Sequence, residues 1–284
     1  MRIDITFSLG RSFLDDDILA KVKDVLDRVA TTWVSGLHVY GGRKQKIPVD
    51  CRSAAAFVQQ LKTSALARGD RYNDLVRRFG AGPYSRQIGS VELRGSNRSL
   101  IVVLSMDEWV FAPSAGRWLF ANSMTIQVDA TNLEGRAASV WARWAFEVGA
   151  ECLAPSWASA RAIEEYASKN LSREDGCTQA IGLDVSKYLP GMYWLNFFGR
   201  AYCDLMGRDR LLSAPAAIVK PLDHGILIGL AEAPGDWSSD EYAERESGVI
   251  EYLGPEYFFD RRRPDRPSRA PAFSFNFSTS RANS

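Results

Sequence analysis

The sequence predicts an α+β fold, in which a largely antiparallel β-sheet is flanked by α-helices in a single domain. Two β-rich runs, residues 87–93 and 99–106, are separated by a short segment containing Gly and Asn, which is typical of a hairpin between antiparallel strands. Helical periodicity is gathered in clusters before and after this hairpin. The chain has 284 residues, of which 46% are hydrophobic, so it can bury a large core without a disulfide or a metal.

Five elements are predicted in the first third of the chain, beginning with a strand in which apolar and polar residues alternate. They are a strand over 2–9, a helix over about 15–31, a short strand within 33–40, and helices over about 53–68 and 71–79. The first helix opens with Asp15, Asp16 and Asp17, whose negative charge suits the positive end of a helix dipole. Asp50 or Ser53 is placed to cap the second helix.

Further strands and helices, separated by turn residues, are predicted in the rest of the chain. The strands lie over 122–129, 179–185, 193–197, 216–220 and 225–230, and the helices over 134–148, 156–169, 200–206 and 238–246. Ser156 is predicted to cap the second of these helices, and Gly207 to end the third. Residues 249–253 either extend the last helix or form a strand.

The charge of the chain is divided unevenly along its length. Residues 261–284 hold six arginines and one acid, a charge of +5, which leaves −4 on residues 1–260 because the net charge is +1. We therefore predict an α+β domain over 1–260 and a flexible tail, rich in Arg, Pro and Ser, over 261–284. An acidic domain repels the phosphate backbone of nucleic acids and suits a basic partner.

The four cysteines are predicted to be reduced thiols of a cytoplasmic protein, because no two of them form a C-x-x-C pair. The first residues of the chain alternate as in a strand, so no signal peptide is expected. No run of about 18 apolar residues is present to span a bilayer. We therefore expect no membrane partner.

Few residues suit catalysis. The chain has two histidines, His38 and His224, and neither lies in a nucleophile-elbow or H-E-x-x-H motif. Glu92 and the adjacent pair Asp223 and His224 favour the alternative of a metal-dependent hydrolase or nuclease. Such a nuclease needs a lysine beside its acids, and Arg94 stands in that place. The favoured interpretation is a binding protein, not an enzyme, with no catalytic residues, cofactor or metal.

Two segments carry the residues predicted to bind a partner. The first, which we call the aromatic loop (residues 107–118), combines large aromatics with acids in a long connection. Its candidate residues are Asp107, Glu108, Trp109, Phe111 and Trp118. The second segment is acidic, and its candidates are Asp236, Trp237, Asp240, Glu241 and Glu244. The alternatives are an aromatic lid over the core for the first and a solvated helix N-terminus for the second. Glu164 and Glu165 are likewise expected on a solvated helix face.

One string carries more information than the rest of the chain, namely KYLPGMYWLNFFG at residues 187–199. Its Pro-Gly pair predicts a turn, and the aromatic run after it predicts a strand. Followed by a helix and Gly207, the string resembles bacterial immunity proteins of polymorphic toxin systems, and most closely immunity protein family fifty-two. The resemblance covers residues 187–207 closely and the rest of the chain loosely. The string's residues are expected in core and turn positions.

The resemblance implies a function. Members of this family are similar to cytoplasmic α+β antidotes encoded beside toxins with a restriction-endonuclease-like domain, which are often delivered by type VI secretion. The implied partner is a cognate toxin, a DNase, whose active site or substrate path the protein would occlude. Direct binding of nucleic acid is not expected, and a homodimer is left open. An acidic, aromatic-bearing surface would mimic the phosphate backbone that the toxin binds.

Overall fold

The structure is a computed structural model that describes residues 1–11, 13, 15–30, 37–40, 46–49, 53–64, 87–95, 100–107, 111–112, 117–118, 122–129, 135–174, 177–185 and 187–271. The strands are β1 (Arg2–Leu9), β2 (Leu37–Tyr40), β3 (Lys46–Pro48), β4 (Gln87–Gly95), β5 (Leu100–Asp107), β6 (Phe111–Ala112), β7 (Arg117–Trp118), β8 (Asn122–Asp129), β9 (Trp157–Ala162), β10 (Leu171–Glu174), β11 (Cys177–Ala180), β12 (Leu195–Gly199), β13 (Ile218–Leu222) and β14 (Gly225–Gly229). The α-helices are α1 (Asp16–Ala30), α2 (54–64), α3 (Gly135–Leu153), α4 (Ile163–Asn170), α5 (Arg200–Met206), α6 (Arg208–Leu212) and α7 (Asp240–Leu253).

The predicted antiparallel sheet is confirmed. Within the described residues it has ten strands in the order β13-β14-β12-β9-β1-β8-β5-β4-β2-β3. Neighbouring strands run antiparallel throughout. Helices α1 and α3 pack against each other, and α3 also packs on β1 and β9, so the fold is α+β as predicted. In the part of the chain that the structure describes, no helix combines the length and apolar character needed to cross a bilayer.

Strand β1 lies in the middle of the sheet, between β8 and β9. Its alternate side chains Ile3, Ile5 and Phe7 are buried, and the ring of Phe7 stacks on that of Phe146 in α3 with centroids 5.8 Å apart. On the other face, Thr6 and Ser8 are half-buried. The alternation in the sequence therefore gives a strand with one face buried under α3 and one polar face.

Turn and cap residues set several helix ends as the sequence predicts. The Ser53 hydroxyl accepts a hydrogen bond from the backbone N–H of Ala56 (3.1 Å) at the start of α2. Helix α5 ends at Gly207, whose φ of +91° is readily adopted only by glycine. Residues 249–253 extend the last helix, α7, which begins after the N-cap residue Ser239.

The helix predicted over 156–169 is wrong in its first half. Residues 157–162 form β9, which pairs with β1 on one side and β12 on the other, and only α4 is helical. Three alanines favour a helix locally. In β9, however, Ala158, Ala160 and Ala162 are buried opposite the large side chains of β1. Small residues fit this crowded central position, and strand pairing overrides the local propensity.

Other predicted elements are displaced or extended by a few residues. Helix α3 continues to Leu153, where the sequence predicts an end near 148. Strands β11, β12 and β13 lie at 177–180, 195–199 and 218–222, each shifted by at least one residue from its prediction. Helix α6 is not predicted at all. The helix predicted over 71–79 and the last turn of the helix predicted to 68 lie outside the described residues.

The start of the predicted tail contacts the domain. Arg266 is half-buried, and its guanidinium donates hydrogen bonds to the carbonyl oxygens of Pro255 and Phe258 and pairs with Asp260 (3.4 Å). The backbone N–H of Arg269 donates to the carbonyl oxygen of Glu256 (2.9 Å). Residues 272–284 lie outside the described residues, so the division of the chain at 260 stays a prediction.

We expect Gly149→Ala in α3 to destabilise the protein by about 1–3 kcal/mol, the usual cost of overpacking a core. A Cβ at this position would lie 2.2 Å from Cζ of Phe7. Gly248→Ala in α7 is the control, because a Cβ there meets nothing within 4 Å and should stabilise the helix by about 0.5–1 kcal/mol. Urea unfolding followed by circular dichroism measures both, and equal unfolding midpoints would contradict the packing.

Candidate functional site

The acidic segment predicted to bind a partner lies at the start of α7. Asp236 belongs to the 3-10 turn Pro234–Ser238, and Asp240, Glu241 and Glu244 lie in the first turns of the helix. All four side chains are exposed, and we call them the acidic surface. Trp237 is half-buried and packs against the core, so it supports this surface from behind.

Helix capping accounts for only part of the acidic surface. The Ser239 hydroxyl accepts a hydrogen bond from the backbone N–H three residues later (3.2 Å). Asp240 and Glu241 lie in the first turn, where negative charge interacts favourably with the helix dipole. Asp236 precedes the helix and Glu244 lies beyond its first turn. The predicted alternative, a solvated helix N-terminus, therefore explains two of the four acids.

Two arginines connect the acidic surface to neighbouring segments. The Arg245 guanidinium donates to the carbonyl oxygen of Leu230 (2.7 Å) and to Oε1 of Glu241 (2.6 Å). Arg143 of α3 pairs with Glu232 at 3.7 Å. The start of α7, residues 230–232 and the outer side of α3 therefore form one continuous surface.

A buried cluster of charged and phenolic groups holds α7 against α4. Lys169 Nζ donates to Oε1 of Glu165 (2.8 Å) and to the carbonyl oxygen of Met192 (2.7 Å), and pairs with Glu246 (2.9 Å). The Tyr242 hydroxyl donates to the same Glu165 oxygen. We call Glu165, Lys169, Tyr242 and Glu246 the buried cluster. The expected solvated position of Glu165 is wrong, because its side chain is fully buried, whereas Glu164 is exposed.

Burial shifts the ionisation of this cluster. It raises the pKa of Tyr242 far above the ordinary value, and the nearby Glu165 carboxylate raises it further, so the phenol stays protonated and donates. Burial also raises the pKa of Glu246, although Lys169 opposes that shift. Two carboxylates thus share one ammonium group, and the cluster connects the two helices.

The string that resembles immunity proteins is built into the same region. Residues 189–199 are all buried, in agreement with the core and turn positions expected for them. The Tyr193 hydroxyl donates to Oδ1 of Asn170 at the end of α4. Trp194 Nε1 donates to the carbonyl oxygen of Ala231 (3.0 Å). The string therefore supports the acidic surface and the segment beside it from within the core.

The aromatic loop is described only in part. Its backbone ends β5 at Asp107 and forms β6 and β7, where Phe111 pairs with Trp118. The side chains of these three residues, and the whole of Glu108 and Trp109, lie outside the described residues. A binding role for the aromatic loop stays a prediction.

The residues that favour the hydrolase alternative lie far apart. Glu92 lies on β4 and pairs with Arg94, whereas Asp223 and His224 form the turn between β13 and β14. Five strands separate β4 from β14 in the sheet, which places the two strands about 29 Å apart at roughly 4.8 Å per strand. They do not form one site. Among the residues that the structure describes, no three His, Cys, Asp or Glu side chains are grouped to hold a metal ion.

The sequence analysis does not identify two exposed apolar side chains on α3. Val140 is 64% exposed and Trp144 is 37% exposed. Their spacing of four residues places them on one face of the helix. The same spacing is typical of the buried face of a helix, so the sequence alone does not distinguish exposed from buried positions here.

Comparison with known proteins adds little about function. No protein-family model matches the chain, and no curated protein matches its sequence. Among solved structures, the chain is similar to the Pseudomonas aeruginosa T6SS protein PA0821, with 12% sequence identity and a TM-score of 0.44 over 93% of this chain and 85% of that one. A likeness of this extent carries no argument about function. The resemblance to immunity protein family fifty-two stays a prediction.

We expect Lys169→Met to destabilise the protein by about 3–5 kcal/mol, since it leaves two carboxylates of the buried cluster without their cation. Lys220→Met is the control. Lys220 pairs with Glu147 at 2.7 Å but is 44% exposed, and such a surface pair contributes about 0–1 kcal/mol. Urea unfolding gives both free energies, and similar losses in the two variants would show that the cluster has no special structural role.

Glu246→Gln should change how stability depends on pH. Because the pKa of Glu246 is raised in the folded state, its contribution to the free energy of unfolding falls as pH rises from the ordinary carboxyl pKa through the raised one. Relative to the wild type, Glu246→Gln should therefore become more stable as pH rises through that window. Asp4, whose pKa burial also raises, is unchanged in both proteins and cancels in the comparison.

Urea unfolding from about pH 4 to about pH 8, which spans carboxyl titration, measures this difference. Glu244→Gln is the control, because it removes an exposed carboxylate from the same helix. A pH trend of the same sign and size in the control would contradict a specific effect of the buried carboxylate.

Proposed function

We propose that the chain is an immunity protein that binds and neutralises a cognate secreted toxin, a nuclease effector of a type VI secretion system, by occluding its active site or substrate path. The observation that carries this proposal is the resemblance of residues 187–207 to bacterial immunity proteins. The exposed acids at the start of α7 support it, because they offer a surface that suits a basic protein.

The string and the acidic surface have separate roles in this proposal. Residues 189–199 are buried, so they stabilise the scaffold and do not reach a partner. Recognition then falls to exposed residues on the elements that the string supports. The acidic surface is such a group, and the buried cluster fixes the helix that carries most of it. A surface that is ordered before binding loses less conformational entropy when the partner arrives.

Electrostatics supplies the mechanism. A nuclease is basic where it meets the phosphates of its substrate, so carboxylates at similar positions compete for the same side chains. Complementary charge speeds the encounter of two proteins and orients them, by a factor that falls as salt is added. A stable complex should bury about 1,200–2,000 Å² in total. The proposal places the protein in the cytoplasm, where a DNase reaches its substrate.

The test is co-expression with the product of the adjacent toxin gene, together with binding measurements on the purified pair. The wild-type chain should restore growth and form a complex on gel filtration. Continued cell death with no complex would rule out the proposed function.

Charge reversal tests the role of the acidic surface. We expect Asp240→Lys combined with Glu244→Lys to slow association by about tenfold or more at low salt, because repulsion replaces attraction at the encounter. Stopped-flow association at several salt concentrations measures the effect, which should shrink as salt rises. Glu151→Lys combined with Asp204→Lys is the matched control, since both acids are exposed on other helices. Equal slowing in the two double variants would assign the effect to net charge alone.

A further inference from the structure

The outer face of α3 exposes an apolar pair in a position where a helix normally shows polar residues. Val140 and Trp144 lie one turn apart, about 6 Å along the axis, and are 64% and 37% exposed. Ala137, one turn before them, is also exposed. An exposed tryptophan offers a large, rigid contact area, of about 150–250 Å² when fully buried, and few other side chains contribute as much to an interface.

This apolar pair adjoins the acidic surface through a chain of printed ion pairs and hydrogen bonds. On α3, Arg143 lies beside Val140 around the helix and pairs with Glu232 at 3.7 Å. Two residues before Glu232, the carbonyl oxygen of Leu230 accepts a hydrogen bond from Arg245, which also binds Glu241 of the acidic surface (2.6 Å). The apolar pair and the acidic surface are therefore neighbouring parts of one face.

The charge on this face is negative. Its acids are Glu147, Glu232 and the four residues of the acidic surface. Its cations among the described residues are Arg143, Lys220 and Arg245, and each already pairs with one of these acids. Six acids against three cations give a net charge of −3 on this face. A partner that covers the apolar pair therefore meets unneutralised carboxylates on one side of it.

We infer that Val140 and Trp144 are the apolar anchor of the toxin-binding surface, and that the toxin offers them an apolar pocket bordered by lysine or arginine side chains. This inference rests on the proposed function, which supplies the partner. Stable interfaces combine an apolar centre with a polar rim, and truncation of the central aromatic costs most of the affinity. Here the tryptophan provides the centre and the carboxylates provide the rim.

The test is isothermal titration calorimetry of the full chain against the purified, catalytically inactive product of the adjacent toxin gene. We expect Trp144→Ala to weaken binding by about 30-fold or more, which is the change that defines a hot spot. Val140→Lys is a second variant at a more exposed position, and it should also weaken binding because it adds a charge that repels a basic rim. Tyr252→Ala is the matched control, since Tyr252 is also an aromatic residue that is 37% exposed, but lies in the last turn of α7.

The outcomes separate this inference from the proposed function. Unchanged thermal unfolding of the variants with weakened binding only in Trp144→Ala and Val140→Lys supports the anchor. Tight binding by the wild type and equally tight binding by both variants would overturn the anchor and leave the immunity function standing. No binding by the wild type would remove both. A dimeric wild type that becomes monomeric in Trp144→Ala would assign the pair to a second copy of this chain and overturn the inference.

Discussion

The shared ammonium group of Lys169 is the constraint on which the second half of the structure depends. It lies between the carboxylates of Glu165 and Glu246 and also donates to the carbonyl oxygen of Met192. Removing charges from water is costly, and the interaction is favourable only when the partners meet with good geometry. Helix α4, helix α7 and the loop before β12 must therefore hold one relative arrangement for the cluster to be satisfied.

This constraint has a consequence for the exposed face of α7. Tyr242 and Glu246 face the buried cluster, so the alternate positions Asp240, Glu241 and Glu244 are turned toward solvent. Burial holds the inner side of the helix in place, while its outer side keeps a fixed pattern of negative charge. In the proposed function, the arrangement of the acids is thus set by residues that never meet the toxin.

Elements governed by local pattern could be predicted from the sequence, and elements governed by distant contacts could not. Strand β1 and helix α5 follow from alternation and from a terminal glycine, which are local properties. Strand β9 could not be predicted, because its alanines favour a helix until the packing against β1 is known. The i,i+4 pair of Glu165 and Lys169 is equally typical of a solvated helix face, and only the approach of α7 buries it.

The same distinction explains why the candidate site was predicted only in part. The acidic surface was found because clustered acids are visible in the sequence, whereas Val140 and Trp144 have the spacing of a buried helix face. Substitutions in the buried string should act on stability, since residues 189–199 have no exposed surface to offer. Substitutions on α3 and the start of α7 can alter which partner is bound while the core stays intact. A scaffold built in this way can change its specificity without changing its fold, and recognition of one toxin among similar toxins requires that independence.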